Sequence, residues 1–322
     1  MHDIDQSMIN AGFDYYRYMD DIKIVCRSEY QARKALLKLS QELREKKLWL
    51  NSKKTRILSP YEALRELEPS RQIDYIEGLL KSKNWVAVSN ALNEIVELTL
   101  NLIKKGETQS REFRYCINKL EKIHRCEDFS LNRNVLKKAT RAIVKEMDSS
   151  PVSTDRYISY LMSCDLSKYQ MNKLAEQVCD SERAIYSWQN YQIWKLLAYR
   201  DFNKISLRKY ACSLINNEEG DPADRAGAIL YIGRFGSRTQ KLEIAENFET
   251  FEHFIEQRMA LIAIHELPFN EIKQWVQGKV HQDLKGMYKS MRKGKFKGKY
   301  HIPQEKLKMK QLFGYSELSS GE

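Results

Sequence analysis

The sequence contains no Cys-x-x-Cys pair, little glycine or proline, and no apolar run approaching the roughly 20 residues that a bilayer-spanning helix needs. Its six cysteines (Cys26, Cys116, Cys126, Cys164, Cys179 and Cys212) lie far apart, which argues against a zinc site and a disulfide framework. The six histidines are scattered without metal-ligand spacing. The opening "MHDIDQSMINAGF" lacks the basic and apolar regions of a signal peptide. No Gly-rich phosphate loop is present, because "IGRFGSR" is too short and sits within a helical pattern. "YLMSCDLSKY" offers serine and cysteine without a positioned histidine, so nucleophilic hydrolysis has no support there. These absences predict a soluble protein of a reducing cytoplasm, with no membrane partner.

What is present is a chain of 322 residues, 42% hydrophobic, long enough to bury one large core or two ordinary ones. The formal charge of +11 is unevenly placed: residues 285–310 hold ten Lys/Arg against the single acid Glu305. The rest of the chain is therefore nearly neutral, and the basic character belongs to a tail.

Residues 1–12 have Ile4, Met8 and Ile9 at helical spacing with Gly12 as a stop, so they read as the last turns of a helix. Next come an aromatic-rich strand, the pair Asp20-Asp21, and a strand in which Ile22, Ile24 and Cys26 alternate with Lys23 and Val25. This pattern predicts a β-hairpin with the two acids at or beside its turn. Ser28 and Gln31 form a capping-box pattern for a helix over 29–46, whose apolar face is Ala32, Ala35, Leu36, Leu39 and Leu43. A short strand is expected in "LWLNSKKTRIL", which makes residues 13–58 the second half of a ferredoxin-like unit. Beyond Pro60 the pattern is helical almost throughout, with helices expected over 85–103, 113–123, 131–147, 156–162, 172–199, 205–215, 223–235, 251–266 and 271–280. "RAGAILYIGRFG" and "RMALIAIHEL" are weakly alike, with Arg225 and Arg258 33 residues apart and Ile229 and Ile262 in register. The expectation is an α+β protein: a partial palm over 1–60, an α-helical, HEAT-like repeat domain over 61–284, and a basic tail over 285–322. An irregular helical bundle is the competing architecture.

Two carboxylates at a hairpin tip repel each other, and a divalent cation offsets that. An isolated Asp-Asp is most often an ordinary surface turn. The neighbouring residues argue otherwise. Tyr18-Met19-Asp20-Asp21, followed about thirty residues later by Leu50-Asn51 and Lys54-Thr55, resembles the Tyr-x-Asp-Asp and Leu-Asn-x-x-Lys-Thr motifs of the reverse transcriptase palm. The arginine before the tyrosine is similar to bacterial members of that family. The resemblance implies that Asp20 is a metal-ligating catalytic carboxylate and Asp21 its less critical neighbour. It also implies that Tyr18 lies near the primer end and Met19 near the incoming nucleotide. Lys54 would stand beside the leaving pyrophosphate, with Asn51 shaping its loop. The cofactor implied is Mg²⁺, with Mn²⁺ as the alternative.

The resemblance covers only residues 1–58, and a family palm also needs an earlier strand bearing another aspartate, and fingers before it. The nineteen residues ahead of Asp20 cannot hold these. Met1 is therefore expected to be an internal methionine of a longer protein, with the missing palm and fingers in cis or in a second chain. The direct run from Leu58 into helices resembles bacterial abortive-infection and antiphage reverse transcriptases. That resemblance implies a noncoding RNA or DNA product as partner, and a homo-oligomer. In the tail, Lys289, Arg292, Lys293, Lys295, Phe296, Lys297, Lys299 and Tyr300 interleave cations with rings, the composition of a nucleic-acid contact. Its glycines argue against a regular helix. The functional reading is the C-terminal part of an RNA-directed DNA polymerase acting in antiphage defence, inactive as this chain alone. A non-enzymatic helical scaffold with a vestigial palm is the alternative.

Overall fold

The computed structural model describes residues 2–52, 54–67, 70–126, 133–296 and 306–308, and the chain divides into two compact units, Met1–Pro69 and Ser70–Glu322. The first unit begins with α1 (His2–Asn10), which ends where Gly12 takes the left-handed conformation (φ +79°) that glycine adopts without strain. Strands β1 (Asp14–Tyr18) and β2 (Asp21–Val25) then form an antiparallel hairpin, in register from Asp14 opposite Val25 to Tyr18 opposite Asp21. Helix α2 (Glu29–Glu45) follows, capped by the Ser28 hydroxyl, which accepts from the Gln31 amide at 3.2 Å. The Gln31 side chain accepts from the amide of Arg27 rather than that of Ser28, so the capping box is displaced by one residue. Helix α3 (Pro60–Leu67) closes the unit.

Period-2 alternation sorts the hairpin into two faces. Tyr15, Ile22 and Ile24 pack on a core of Ile4 and Met8 from α1, Phe13, and Ala35, Leu39 and Leu43 from α2. Tyr16, Tyr18 and Val25 lie on the other face and are exposed. A two-stranded sheet is marginal in water, so this small core is what holds the hairpin. The strand expected in "LWLNSKKTRIL" does not form among the described residues. Instead, the carbonyl of Asn51 accepts from the amides of Lys54 and Thr55, both at 2.9 Å, in a single turn. The only sheet among the described residues is the hairpin itself. An extended segment with no neighbour cannot satisfy its ladder of backbone groups, so local turn bonds win.

The second unit is helical: α4 (Arg71–Lys81), α5 (Trp85–Lys104), α6 (Arg111–His124), α7 (Arg133–Glu146), α8 (Thr154–Ser163), α9 (Lys168–Cys179), α10 (Ser187–Tyr199), α11 (Ile205–Ile215), α12 (Pro222–Phe235), α13 (Arg238–Glu246), α14 (Phe254–Ile264), α15 (Phe269–Val276) and α16 (Lys285–Arg292). Two of these correct the sequence reading. The helix expected over 172–199 is broken at Asp180, whose carbonyl accepts from Arg183 and Ala184 and whose carboxylate accepts from Glu182. Such local bonds compete with helix continuation. Conversely, Gly286 does not prevent α16, because Met287, Tyr288 and Met291 pack on the core and burial outweighs propensity.

The helices form two rows. In one, α6, α8, α10, α12 and α14 pack in succession; in the other, α5, α7, α9 and α11 do, and α13 packs on α15. Helices α8, α10, α12 and α14 begin at Thr154, Ser187, Pro222 and Phe254, so a two-helix unit recurs every 32 to 35 residues. The paired phrases around Arg225 and Arg258 fall on the neighbouring helices α12 and α14, with Ile229 and Ile262 both buried. Here α10, α12 and α14 are buried nearly all round, as central helices are, with the polar side chains Gln189, Asn190, Gln192, Arg225, Glu256 and Gln257 buried among the apolar ones. Close packing of α10 on α12 requires Gly227, since a Cβ there would meet Trp194 Cδ1 at 2.7 Å. Gly78, on the exposed side of α4, has nothing within 4 Å of such a Cβ.

These two glycines predict opposite outcomes in denaturant melts. Gly227→Ala overpacks the core and should cost about 1–3 kcal/mol. Gly78→Ala in an exposed helix interior should add up to about 1 kcal/mol.

Candidate active-site hairpin

The turn of the hairpin consists of Met19 and Asp20 between the paired residues Tyr18 and Asp21. Met19 has φ +55°, a left-handed value uncommon for a residue other than glycine. Two-residue hairpin loops favour a positive φ at their first position because it matches the strand twist, and here methionine takes the place glycine usually fills. Tyr18 and Met19 are about three-quarters exposed, and both acids are exposed. Asp21, opposite Tyr18, belongs to the open face with Tyr16 and Lys23. The hairpin thus brings Tyr18, Met19, Asp20 and Asp21 together at one tip. Asn51 and Lys54 sit on their own exposed turn, which Leu50 anchors by packing on the core.

Beneath the tip lies an arrangement that sequence reasoning missed. Asp5 on α1 accepts two bonds from the Arg17 guanidinium, Nε to Oδ1 at 2.8 Å and one terminal nitrogen to Oδ2 at 2.7 Å. Its Oδ1 also accepts the Tyr15 hydroxyl at 2.9 Å. The other terminal nitrogen of Arg17 donates to the carbonyl of Met19 at 2.7 Å. The bond from Arg17 holds the Asp5 carboxyl below its usual range. Burial, reinforced by the hydrogen bond to Asp5, pushes the Tyr15 phenol up to about 12. One signal was available in the sequence. Tyr15 and Arg17 alternate onto the same side of β1, and the preceding helix carries acids in its first turn, so a pairing between the two was open to inference.

Two adjacent carboxylates are hard oxygen ligands suited to Mg²⁺. Among the described residues, however, no group of three or more His, Cys, Asp or Glu side chains gathers to hold a metal ion. Asp20 and Asp21 are thus joined by no third such side chain among the described residues.

In the basic segment, Lys289, Arg292, Lys293 and Lys295 are exposed. Phe296 is half-buried and packs edge-on against His265, with ring centroids 5.6 Å apart. Tyr288 leans on Phe269. Lys297, Lys299 and Tyr300 lie outside the described residues. Farther along, the Leu307 amide donates to the carbonyl of Arg125 at 2.9 Å, just beyond α6. No helix among the described residues is long and apolar enough to cross a membrane.

Residues 1–116 match the family model described as reverse transcriptase (RNA-dependent DNA polymerase). The match takes in the whole first unit and continues through α4 and α5 into α6. No curated protein and no solved structure matches the chain.

The hairpin geometry predicts a titration. A raised phenol contributes stability that is complete below its unfolded value near 10 and is lost as pH rises toward about 12. The absorbance difference between the wild-type chain and Tyr15→Phe should place one tyrosine at about 12. The lowered Asp5 acts at the opposite end, with its contribution complete above the ordinary carboxylate value and lost only in acid.

Proposed function

We propose that this chain, which carries a reverse transcriptase domain over residues 1–116, is the C-terminal part of an RNA-directed DNA polymerase acting in antiphage defence. The observation that carries the polymerase reading is the tip itself: two exposed carboxylates presented by a hairpin turn inside the matched segment. In this reading Asp20 and Asp21 are two of the ligands for Mg²⁺, and a further carboxylate comes from outside the described residues. Held there, Mg²⁺ would supply activation of a 3′-hydroxyl and charge neutralisation for the departing pyrophosphate.

The chain's own residues do the rest. Tyr18 flanks the primer end and Met19 the incoming nucleotide. Lys54 gives a proton to the leaving group, on the turn that Asn51 shapes. In the second unit, the exposed cations Lys289, Arg292, Lys293 and Lys295 contact nucleic-acid phosphate, continued by Lys297, Lys299 and Tyr300, while Phe296 packs against His265. The two-row array, with its recurring helix pair, supports a HEAT-like platform for RNA, product or a further copy of the chain. The defence role rests on the resemblance of this architecture, palm followed directly by helices, to abortive-infection enzymes.

The test is nucleotide incorporation by the complete enzyme. Asp20→Asn should reduce it to background while leaving RNA binding intact, and Lys54→Ala should lower it by about 100-fold or more. Unchanged incorporation in Asp20→Asn would remove Asp20 from the mechanism. Replacing Lys289, Arg292, Lys293 and Lys295 by alanine should weaken RNA binding and flatten its dependence on salt, measured by anisotropy at several ionic strengths.

A further inference from the structure

We infer that Asp5 and Arg17 are positioning residues for the catalytic turn: Asp5 orients the Arg17 guanidinium, and Arg17 holds the Met19 carbonyl and thereby the backbone that presents Asp20 and Asp21. The catalytic part of this inference rests on the polymerase reading, whereas the mechanical part stands on the geometry alone.

The connection runs from the core outward. Ile4 and Met8 are fully buried and fix α1 in the first unit. Two further ties hold α1 to α2, with the Ser7 hydroxyl donating to Glu42 at 2.6 Å and Lys46 pairing with Asp3 at 2.9 Å. Asp5 is thus carried on an immobilised helix. Its two oxygens take one edge of the planar guanidinium, which leaves the remaining terminal nitrogen aimed at the turn, 2.7 Å from the Met19 carbonyl. Only a rigid fork can make all three bonds. A lysine ammonium is a point charge and cannot fix the plane.

The turn needs such a restraint. Met19 stands at φ +55°, a conformation that a side chain disfavours and that persists where its surroundings enforce it. Among the described residues, the further support for the tip is the Tyr18–Asp21 end of the ladder, since Tyr18, Met19, Asp20 and Asp21 are all exposed. Arg17 is the contact through which the core can govern the tip. The neighbouring Tyr15 hydroxyl binds the same carboxylate but does not reach the turn, so it supplies an internal control.

The first readout needs no catalysis. In hydrogen-exchange measurements on the chain, Asp5→Asn and Arg17→Lys should each speed exchange at Met19, Asp20 and Asp21 about tenfold or more, with exchange in the interior of α2 unchanged. Tyr15→Phe should leave the tip near wild type. Equal exchange at the tip in Arg17→Lys and wild type would overturn the inference. Should Asp5→Asn fail to fold, Arg17→Lys, which retains the charge pair, carries the test.

The second readout is incorporation by the complete enzyme. Both clamp variants should lower kcat by about 10- to 100-fold, as a misplacement of about 1 Å does, with a smaller change in KM and with Tyr15→Phe near wild type. If Asp20→Asn abolishes incorporation and the clamp variants keep full kcat, the positioning role is wrong and the polymerase reading survives. If Asp20→Asn itself has no effect, the reading falls, and the exchange data still decide the mechanical claim.

Discussion

Everything at the tip of the hairpin depends on one carboxylate that is not at the tip. Strand alternation leaves no choice about where Arg17 points: it shares a side with Tyr15 and stands opposite Ile22, on the face that packs on the core. Arg17 stays exposed at the border of that face, and Asp5 supplies its counter-charge from the adjacent helix. Because the pair is bidentate, it fixes direction as well as charge. The third arm of the guanidinium then delivers that direction to the Met19 carbonyl. An ion pair at the border of the inner face becomes a geometric constraint on the turn.

The same division of labour appears in the second unit. Its central helices α10, α12 and α14 bury nearly every side, to the point that one contact tolerates only Gly227 against Trp194. Such helices leave little exposed surface, and what borders them carries the exposed side chains. Helix α16 has a two-sided character. Met287, Tyr288 and Met291 engage the core, while Lys289 and Arg292 remain exposed, and Lys293 and Lys295 continue the charge past the helix end. Phe296 and Tyr288 serve the packing side here, so the exposed character of the described segment is set by its cations rather than by its rings.

The hairpin, the helix after it and the helical nature of the second unit were legible in the sequence because each is written in a local period. Alternation of Ile22 and Ile24 with Lys23 marks a strand, and the spacing of Ala35, Leu39 and Leu43 marks a buried helical stripe. What was not legible depends on partners. "LWLNSKKTRIL" has strand composition, but its backbone closes a turn on Asn51, and among the described residues no strand lies beside it to complete a ladder. The break at Asp180 and the formation of α16 across Gly286 were decided by side-chain bonds and burial that a periodicity does not contain. Asp5 was invisible for a related reason. It lies 12 residues from Arg17 in an unremarkable helical turn, and only the folded hairpin shows that it faces the guanidinium.

Under the proposed function the tip must attract a divalent cation, and there the charge of the Asp5–Arg17 pair matters too. An arginine bonded to the turn but left unpaired would place a full positive charge beside Asp20 and Asp21, offsetting the field that two carboxylates create. Asp5 cancels that charge where it arises, so the four side chains together keep a formal charge of −2. The guanidinium can then act on the Met19 carbonyl as a rigid donor without acting on the site as a competing cation. A neutral donor in its place would preserve the field but lose the fork, and a lysine would lose the fork whether or not its charge were cancelled. Among the available side chains, only an arginine answered by a carboxylate meets the steric and the electrostatic demand together.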